Sequence, residues 1–574
     1  MRLRRSLPSL TLLFAAACGH GSPPAAGPVA GAAPGWEYAG RARVTEGSRA
    51  MVVSGSGIAS DVGRDILRQG GTAVDAAVAV GFALAVVHPE AGNLGGGGFM
   101  VIRSRDGTVR TLDYRETAPA RATRDMYLDA QGEPTDLSLT GHLAAGVPGS
   151  VAGLVEAHRR YGRLPFAAVI GPAIRLAREG FLVDEYRSRS IADDSARLAR
   201  FPASRASYLP NGTPPASGTL LQQPDLATTL EAIRDRGADG FYHGPVADLI
   251  VAEMARGGGL ISHEDLAGYR AIWRDPITIR YRGYTVYSMP PASSGGVTMG
   301  EILNIMEGYR PLPPFGSPAL MHLEAEAMRR AFTDRNTYLG DPDFVRNPVD
   351  RLLSKAYAAD LRRGIGERAT PTPAFQPGAR TGASTTHYSV VDAEGNAVSC
   401  TTTLNDSYGS GVTVAGAGFL LNDDMDDFAT APGKPNMYGL VQGEANAIAP
   451  GKRMLSAMTP SIVLDPQGRL YLVVGTPGGP RIITMVYHVI SNIIDHRMSL
   501  ADAVDAPRLH HQGLPDTLRV ERGGFPAATL DSLHHRGHAV GSGGYWGDIE
   551  AIIRTPDGWQ GVSDPRRGGG GAGY

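Results

Sequence analysis

The stretch that most restricts the fold is residues 72–87, "TAVDAAVAVGFALAVV", which is apolar on almost every side. Thr72 can cap a helix here, with Asp75 three residues on completing a variant of the capping box. A surface helix shows the core one apolar stripe, whereas one that is apolar all round has to be covered on all sides. Spanning a bilayer takes about 20 apolar residues, and Pro89 stops this run short of that. The segment predicts a buried core helix, and a buried helix needs further layers outside it.

The flanks supply candidate layers. "SGIASDVGRDILRQGG" (56–71) places Ile58, Val62, Ile66 and Leu67 at helical spacing and stops at a glycine pair. "GNLGGGGFMVIRSRDGTVRTLDYRE" reads as a glycine run, a strand, an Asp-Gly turn and a second strand. Residues 141–375 read as mostly helical, with no catalytic constellation. From 384 onward strands alternate with glycine turns, and two further helices are expected near 481–494 and 526–536. No repeat is present, so a layered domain of strands and helices with long-range contacts is predicted rather than a solenoid. The chain has 574 residues, 42% hydrophobic and 20% charged, enough to bury a large core. At roughly 150 residues per domain it has the length of about four domains.

The N-terminus reads as an address. Arg2, Arg4 and Arg5 precede a short apolar stretch (7–17) that ends in Ala15-Ala16-Ala17, as in a signal peptide over 1–17. Cys18 follows, resembling the lipidated first residue of a bacterial lipoprotein, and the Gly/Pro/Ala-rich stretch 18–41 reads as a flexible tether. Export to the periplasm or cell envelope, with Cys18 as an acylation site, is the expectation. Cys400 is then the one cysteine of the main body, so no internal disulfide can form, and its strand-like setting suggests a buried, inert thiol. The formal charge of −2, with no basic tract after the N-terminus, argues against nucleic-acid binding.

"GASTTHYSVVDAEGNAVSCTTTLN" (382–405) is a hairpin crowded with threonines. Threonine is a good strand former, so the hydroxyls need no chemical explanation. One plausible register puts Thr385 opposite Leu404, and a slip of one puts it opposite Thr403; the sequence leaves this open. A threonine hydroxyl becomes a nucleophile only with a base in reach. No His/Asp pair at a recognisable spacing supplies one, and His387 can be an ordinary packed side chain. The alternative base is the residue's own α-amine, whose pKa of about 7.7–8.0 leaves much of it neutral near pH 7.5. Such an amine exists only if the bond between Ser384 and Thr385 has been cut.

"TTHYSVVDAEGNAVSCTTTLNDSYGSG", "FLLNDDMDDF", "RMLSAMTPSIV" and "VVGTPGGPRIITMV" resemble the small subunit of the γ-glutamyltransferases, members of the N-terminal-nucleophile hydrolases. "GGTAVDAAVAV", "GNLGGGGFMVIR", "LDYRETAP" and the terminal "SDPRRGGGGAGY" are similar to the same family, so the match runs from about residue 42 to 574. The resemblance implies an α+β fold, a four-layer αββα sandwich built jointly by two autocleaved subunits, 42–384 and 385–574. It makes Thr385 both cleavage residue and nucleophile, with Thr403 hydrogen-bonded to its hydroxyl. Gly478 and Gly479 of "TPGGP" would form the oxyanion hole. Arg115 would grip the substrate α-carboxylate, helped by Ser456, Asn405 would contact the α-amino acid end, and Asp427, with Asp424 nearby, would meet the α-ammonium group. Residues 431–448 are similar to the family's lid loop, with Tyr438 as the shielding aromatic.

Two departures stand out. Asp424 takes a place where the family commonly has Gln or Glu, and Ala457 follows Ser456 where two successive serines are typical. Without the resemblance, "NDDMDDF" would read as a solvated acidic turn or a calcium loop, and Arg115 as a surface partner of Glu116. "GNLGGGGF" lacks the Lys-Ser/Thr of a phosphate loop. The pairs His510-His511 and His534/His538 lack the cysteines or carboxylates of a metal site. The expected substrates are glutathione and other γ-glutamyl compounds, with water or an amino acid or dipeptide as acceptor and no cofactor. The alternatives are a glutaryl-cephalosporin-type acylase of the same superfamily, or a non-catalytic tethered envelope protein that does not cleave itself.

Overall fold

The computed structural model describes residues 29–371 and 385–574. Residues 1–17, read above as a signal peptide, Cys18 and Ser384 lie outside the described residues. Two seven-stranded antiparallel sheets stack face to face. The first runs Gly570–Gly573, Met51–Ser54, Thr385–Val391, Ala397–Thr403, Gly97–Arg103, Val109–Tyr114, Ile272–Arg274. The second runs Arg43–Gly47, Gly558–Ser563, Glu550–Thr555, Leu470–Gly475, Ser461–Leu464, Tyr284–Ser288, Ile277–Tyr281. Helices cover both outer faces, which gives the predicted αββα sandwich.

The apolar helix, Ala73–Val87, is buried along its whole length, and the Thr72–Asp75 capping box forms. It is packed between the first sheet, through Tyr388, Val390, Val398 and Cys400, and further helices, Ser150–Tyr161 and Phe166–Glu179. On the other side, Gly295–Glu307, Pro318–Tyr338 and Arg481–Ile494 cover the second sheet. Burying this much apolar surface on both sides of each sheet is the main source of stability, at about 25 cal/mol per Å².

One expectation needs correction, and two features were not expected. The stretch 141–375 is mostly helical as expected, but Ile277–Tyr281 and Tyr284–Ser288 within it form a hairpin at the edge of the second sheet. Its alternation of buried and exposed residues is short and was masked by the long helices around it. The terminal glycine run is a strand, Gly570–Gly573, paired with Met51–Ser54, where close backbone approach matters more than β propensity. The tether reading fails for residues 29–41, because Trp36 and Tyr38 are buried against Tyr545 and Arg566, and the Trp36 indole donates to Asp505 O at 2.7 Å. The aromatic pair outweighs the Gly/Pro/Ala composition there.

Candidate active site

The hairpin register left open by the sequence pairs Thr385 with Thr403 and Thr386 with Thr402. Asp392 fixes the turn by accepting from the backbone N–H groups of Glu394 and Asn396, both at 2.9 Å. Alternate residues therefore face opposite ways. Thr385, His387 and Ser389 face the second sheet, while Tyr388, Val390 and Cys400 face the apolar helix. The inter-sheet layer is tied by polar bonds, Ser399 Oγ to Val474 O at 3.1 Å and Ser389 Oγ to Glu550 O at 2.9 Å. His387 bonds Thr401 at 2.8 Å and Ser389 at 3.1 Å, and burial pulls its pKa down to about 3. It is a neutral packing residue and does not contact Thr385.

Thr385 Oγ1 lies 3.1 Å from Thr403 Oγ1, and Thr403 in turn accepts the Asn405 backbone N–H at 2.8 Å. Asn405 has φ +82°, a left-handed turn that Asn tolerates better than most residues. That turn ends the strand and swings the Asn405 side chain toward the pocket. There its Nδ2 donates to Asp423 O at 3.0 Å and its Oδ1 accepts the Tyr438 hydroxyl at 2.6 Å. The glycine run 95–98 works as a close-packing surface: a Cβ at Gly96 would lie 2.1 Å from Thr403 O.

Asp424, Met425 and Asp426 of the acidic turn are buried and Asp427 is partly buried, contrary to the solvated-turn reading. The Arg115 guanidinium explains this, hydrogen-bonding Asp424 with one terminal nitrogen and Asp427 with the other. Its Nε also donates to Met454 O at 3.3 Å, and Nη1 to Glu116 at 3.3 Å. Burial, with Asp424 beside it, pushes Glu116 well above the usual carboxylate range. Burial likewise raises Asp427 to about 7, against the lowering effect of Arg115. This carboxyl therefore changes charge near neutrality.

"TPGG" follows the strand Leu470–Gly475, with Gly478 at φ +142° and Gly479 at φ +58°. Neither glycine N–H makes a hydrogen bond among the described residues, while their carbonyls accept from Arg481 and Ile482 at the start of the next helix. Two N–H donors left without a hydrogen bond among the described residues, at a helix N-terminus, suit a developing negative charge. Tyr438 closes over them, since a Cβ on Gly479 would lie 2.9 Å from its ring. The lid is pinned by Met437 N to Asp426 Oδ2 at 3.0 Å and Gln512 Nε2 to Tyr438 O at 3.0 Å.

These groups enclose a pocket lined by Thr385, Thr403, Asn405, Arg115, Asp427, Tyr438, Ser456 and Gly479. Gly478 sits just behind the wall, and Asp424 reaches the pocket through Arg115. Its free volume of about 20 Å³ is roughly that needed by one water, so a larger group enters only if the lid moves. Ser456 Oγ accepts Met458 N at 3.1 Å, and Ala457 lies beside it in the lining. Sequence reasoning missed Arg335 and Ser294. Arg335 lines the same pocket from the helix Pro318–Tyr338 and bonds Ser294 Oγ at 2.9 Å. The available signal was its place on the buried stripe Met321, Ala325, Met328, Phe332, an arginine where the spacing calls for an apolar residue. Cys400 is buried against the Tyr114 hydroxyl at 2.9 Å with its pKa pushed up to about 12. Among the described residues no cluster of three or more metal-ligating side chains occurs, and no helix is long and apolar enough to cross a membrane.

The stacked sheets between helical layers are those of the N-terminal-nucleophile hydrolases. A cephalosporin acylase from Bacillus halodurans superposes with a TM-score of 0.83 and 30% identity, covering 93% of this chain and 97% of that one. The model of the gamma-glutamyltranspeptidase family matches residues 59–574, and the chain belongs to that family. A glutathione hydrolase proenzyme of Escherichia coli is 50% identical over 528 residues, covering 90% of each chain. An acylase proenzyme, ACY 1 of a Pseudomonas strain, is 42% identical, covering 89% of this chain and 91% of its own.

Proposed function

We propose that this chain is a proenzyme of a glutathione hydrolase and γ-glutamyltransferase in which Thr385 is the nucleophile. The observation that carries the reading is the hairpin register, which sets the Thr385 and Thr403 hydroxyls 3.1 Å apart on the wall of the pocket holding Arg115 and Asp427. Hydrolysis of the Ser384–Thr385 peptide bond gives a large subunit, 42–384, and a small one, 385–574, and frees the α-amine of Thr385. That amine takes the hydroxyl proton as Oγ1 attacks the γ-carbonyl carbon. The oxyanion accepts from the N–H groups of Gly478 and Gly479, each worth about 3–4 kcal/mol of barrier. As the intermediate collapses, the C–N bond breaks and the leaving amine takes the proton. Water or an amino acid then attacks the γ-glutamyl ester and regenerates Thr385. Thr403, fixed by Asn405 N–H, orients the nucleophile.

At the other end of the substrate, Arg115 and Ser456 hold the α-carboxylate. Asp427 and the remaining lone pair of Asn405 Oδ1 receive the α-ammonium, with Asp424 acting through Arg115. Tyr438 shields the acyl group from water once the lid has closed. Export and an acyl chain on Cys18 would put the reaction at the cell envelope.

A second reading, a glutaryl-type acylase, is favoured by Ala457 and by the acylase relatives. A glutaryl group keeps the carboxylate and lacks the ammonium, so it would leave Asp427 with Arg115 as its counter-ion and gain nothing from it. Turnover of γ-glutamyl and glutaryl anilides is to be compared, and faster glutaryl turnover overturns the substrate proposed here. N-terminal sequencing of the smaller fragment is expected to begin at Thr385; a start elsewhere removes Thr385 as nucleophile.

A further inference from the structure

The pocket contains two guanidinium groups, and they are not equally neutralised. Arg115 is held by two carboxylates, Asp424 and Asp427. Arg335 is 1% exposed and has no carboxylate within ion-pair distance among the described residues. Its neighbours are neutral: Ser294 Oγ at 2.9 Å from Nε, with Asn336 Oδ1 at 2.8 Å and Gln442 Oε1 at 3.3 Å from Nη1. None of these bonds uses Nη2. Burying a charge without a counter-ion is costly, and the usual compensation is an ion pair or a ligand of opposite sign. Burial pulls the Arg335 guanidinium down to about 10, with Asp427 opposing it.

The placement of this second cation is not accidental to the pocket. Ser294, which accepts from Arg335, donates through its own hydroxyl to Ser456 O at 2.6 Å and through its backbone N–H at 2.8 Å. Arg335 is thereby fixed against the Ser456–Ala457 segment, where a second hydroxyl donor is missing. A planar fork can supply two parallel donors to a carboxylate where a single hydroxyl supplies one. When an α-ammonium group draws Asp427 away, Arg115 also gains a free donor on the same side.

We infer that Arg335 is a second carboxylate-binding residue of the acyl pocket, so that the substrate α-carboxylate is gripped between Arg115 and Arg335, with Arg335 standing in for the hydroxyl absent at Ala457. The inference rests on the γ-glutamyl reading above, and extends it to a residue on a helix of the large subunit.

The test uses the processed enzyme and two substrates, γ-glutamyl p-nitroanilide and the same anilide with its α-carboxylate converted to carboxamide. Arg335→Met is expected to raise KM for the carboxylate substrate about 100-fold with kcat nearly kept, as loss of one partner of a buried charged hydrogen bond implies. KM for the carboxamide should stay within about threefold, because that substrate has no charge for the fork to hold. Equal losses on both substrates, or no loss on either, overturn the inference and leave Arg335 as scaffold. Appearance of the two subunit bands reports that the variant has folded. Should Arg335→Met remain unprocessed, Arg335→Lys decides: it keeps the charge without the fork and is expected to raise KM about tenfold on the carboxylate substrate alone. Failure of wild-type enzyme to turn over either anilide would count against the γ-glutamyl reading itself, separately from Arg335.

Discussion

Thr385 and Thr386 are adjacent on one strand, identical in chemistry and both buried, yet they occupy different environments. Thr385 meets a second hydroxyl at 3.1 Å and opens on a pocket with charged walls. Thr386 Oγ1 makes no hydrogen bond among the described residues and faces the closed side of the sheet, where a Cβ on Gly55 would lie 2.7 Å from it. The difference is the strand's period of two: neighbouring side chains leave by opposite faces. A nucleophile is thus a property of what the other layers bring to one face, and the residue type alone does not confer it.

The sharpest way to break this contrast is to exchange the roles. Thr385→Ala is expected to abolish processing and to lower anilide turnover by at least about 10³-fold. Thr386→Ala should process normally and keep kcat within about threefold, since the hydroxyl it removes has no partner to lose. Gel electrophoresis and steady-state rates read both, and an unprocessed Thr386→Ala chain would contradict the one-faced site. Gly479→Ala attacks the other side of the pocket. The φ of +58° and the 2.9 Å approach to Tyr438 leave no room for a methyl. A loss of about 10²-fold in kcat is expected, close to that of a missing oxyanion donor.

Asp427→Asn sharpens the comparison at the substrate's far end. KM for the γ-glutamyl anilide should rise about 30-fold, while the glutaryl anilide, which has no ammonium, should be nearly unaffected. The pH profile follows with a smaller effect. Because Asp427 titrates near 7 in the folded chain, its carboxylate forms as pH rises through that value. The ammonium substrate should therefore bind about tenfold more tightly at pH 8 than at pH 6, one pK unit on either side. Asp427→Asn should flatten this slope in KM, and a slope that survives the substitution would move the titration to another group. Cys400→Ala is expected to change nothing in rate. It removes a thiol whose pKa is held near 12 and costs only packing, read as a small drop in Tm.

Much of the architecture was legible because local chemistry and global fold agree. The all-apolar helix could only be buried, its capping box formed as read, and the alternation in 385–403 gave the hairpin. The site was legible mainly through its motifs, and the residue patterns by themselves gave weaker guidance. "NDDMDDF" alone reads as a solvated turn; its burial depends on Arg115, which lies more than 300 residues away in sequence, a separation of 309 from Asp424. Arg335 was missed for the same reason. On a helical stripe it is one residue out of place, and nothing near it in sequence points to a carboxylate.

By itself the sequence determined the buried helix with its capping box and the hairpin, which rest on periodicities of a few residues, and carried the motifs whose resemblance implied the four layers. Tertiary structure decided the register that pairs Thr385 with Thr403, the face on which that pair lies and the two guanidinium groups of unequal compensation. It also turned the glycine tail into a strand and brought the first aromatic residues into the fold. The physical reason is that periodicity is local, whereas register, burial of charge and closure of a pocket are set by long-range contacts between segments that no short window contains.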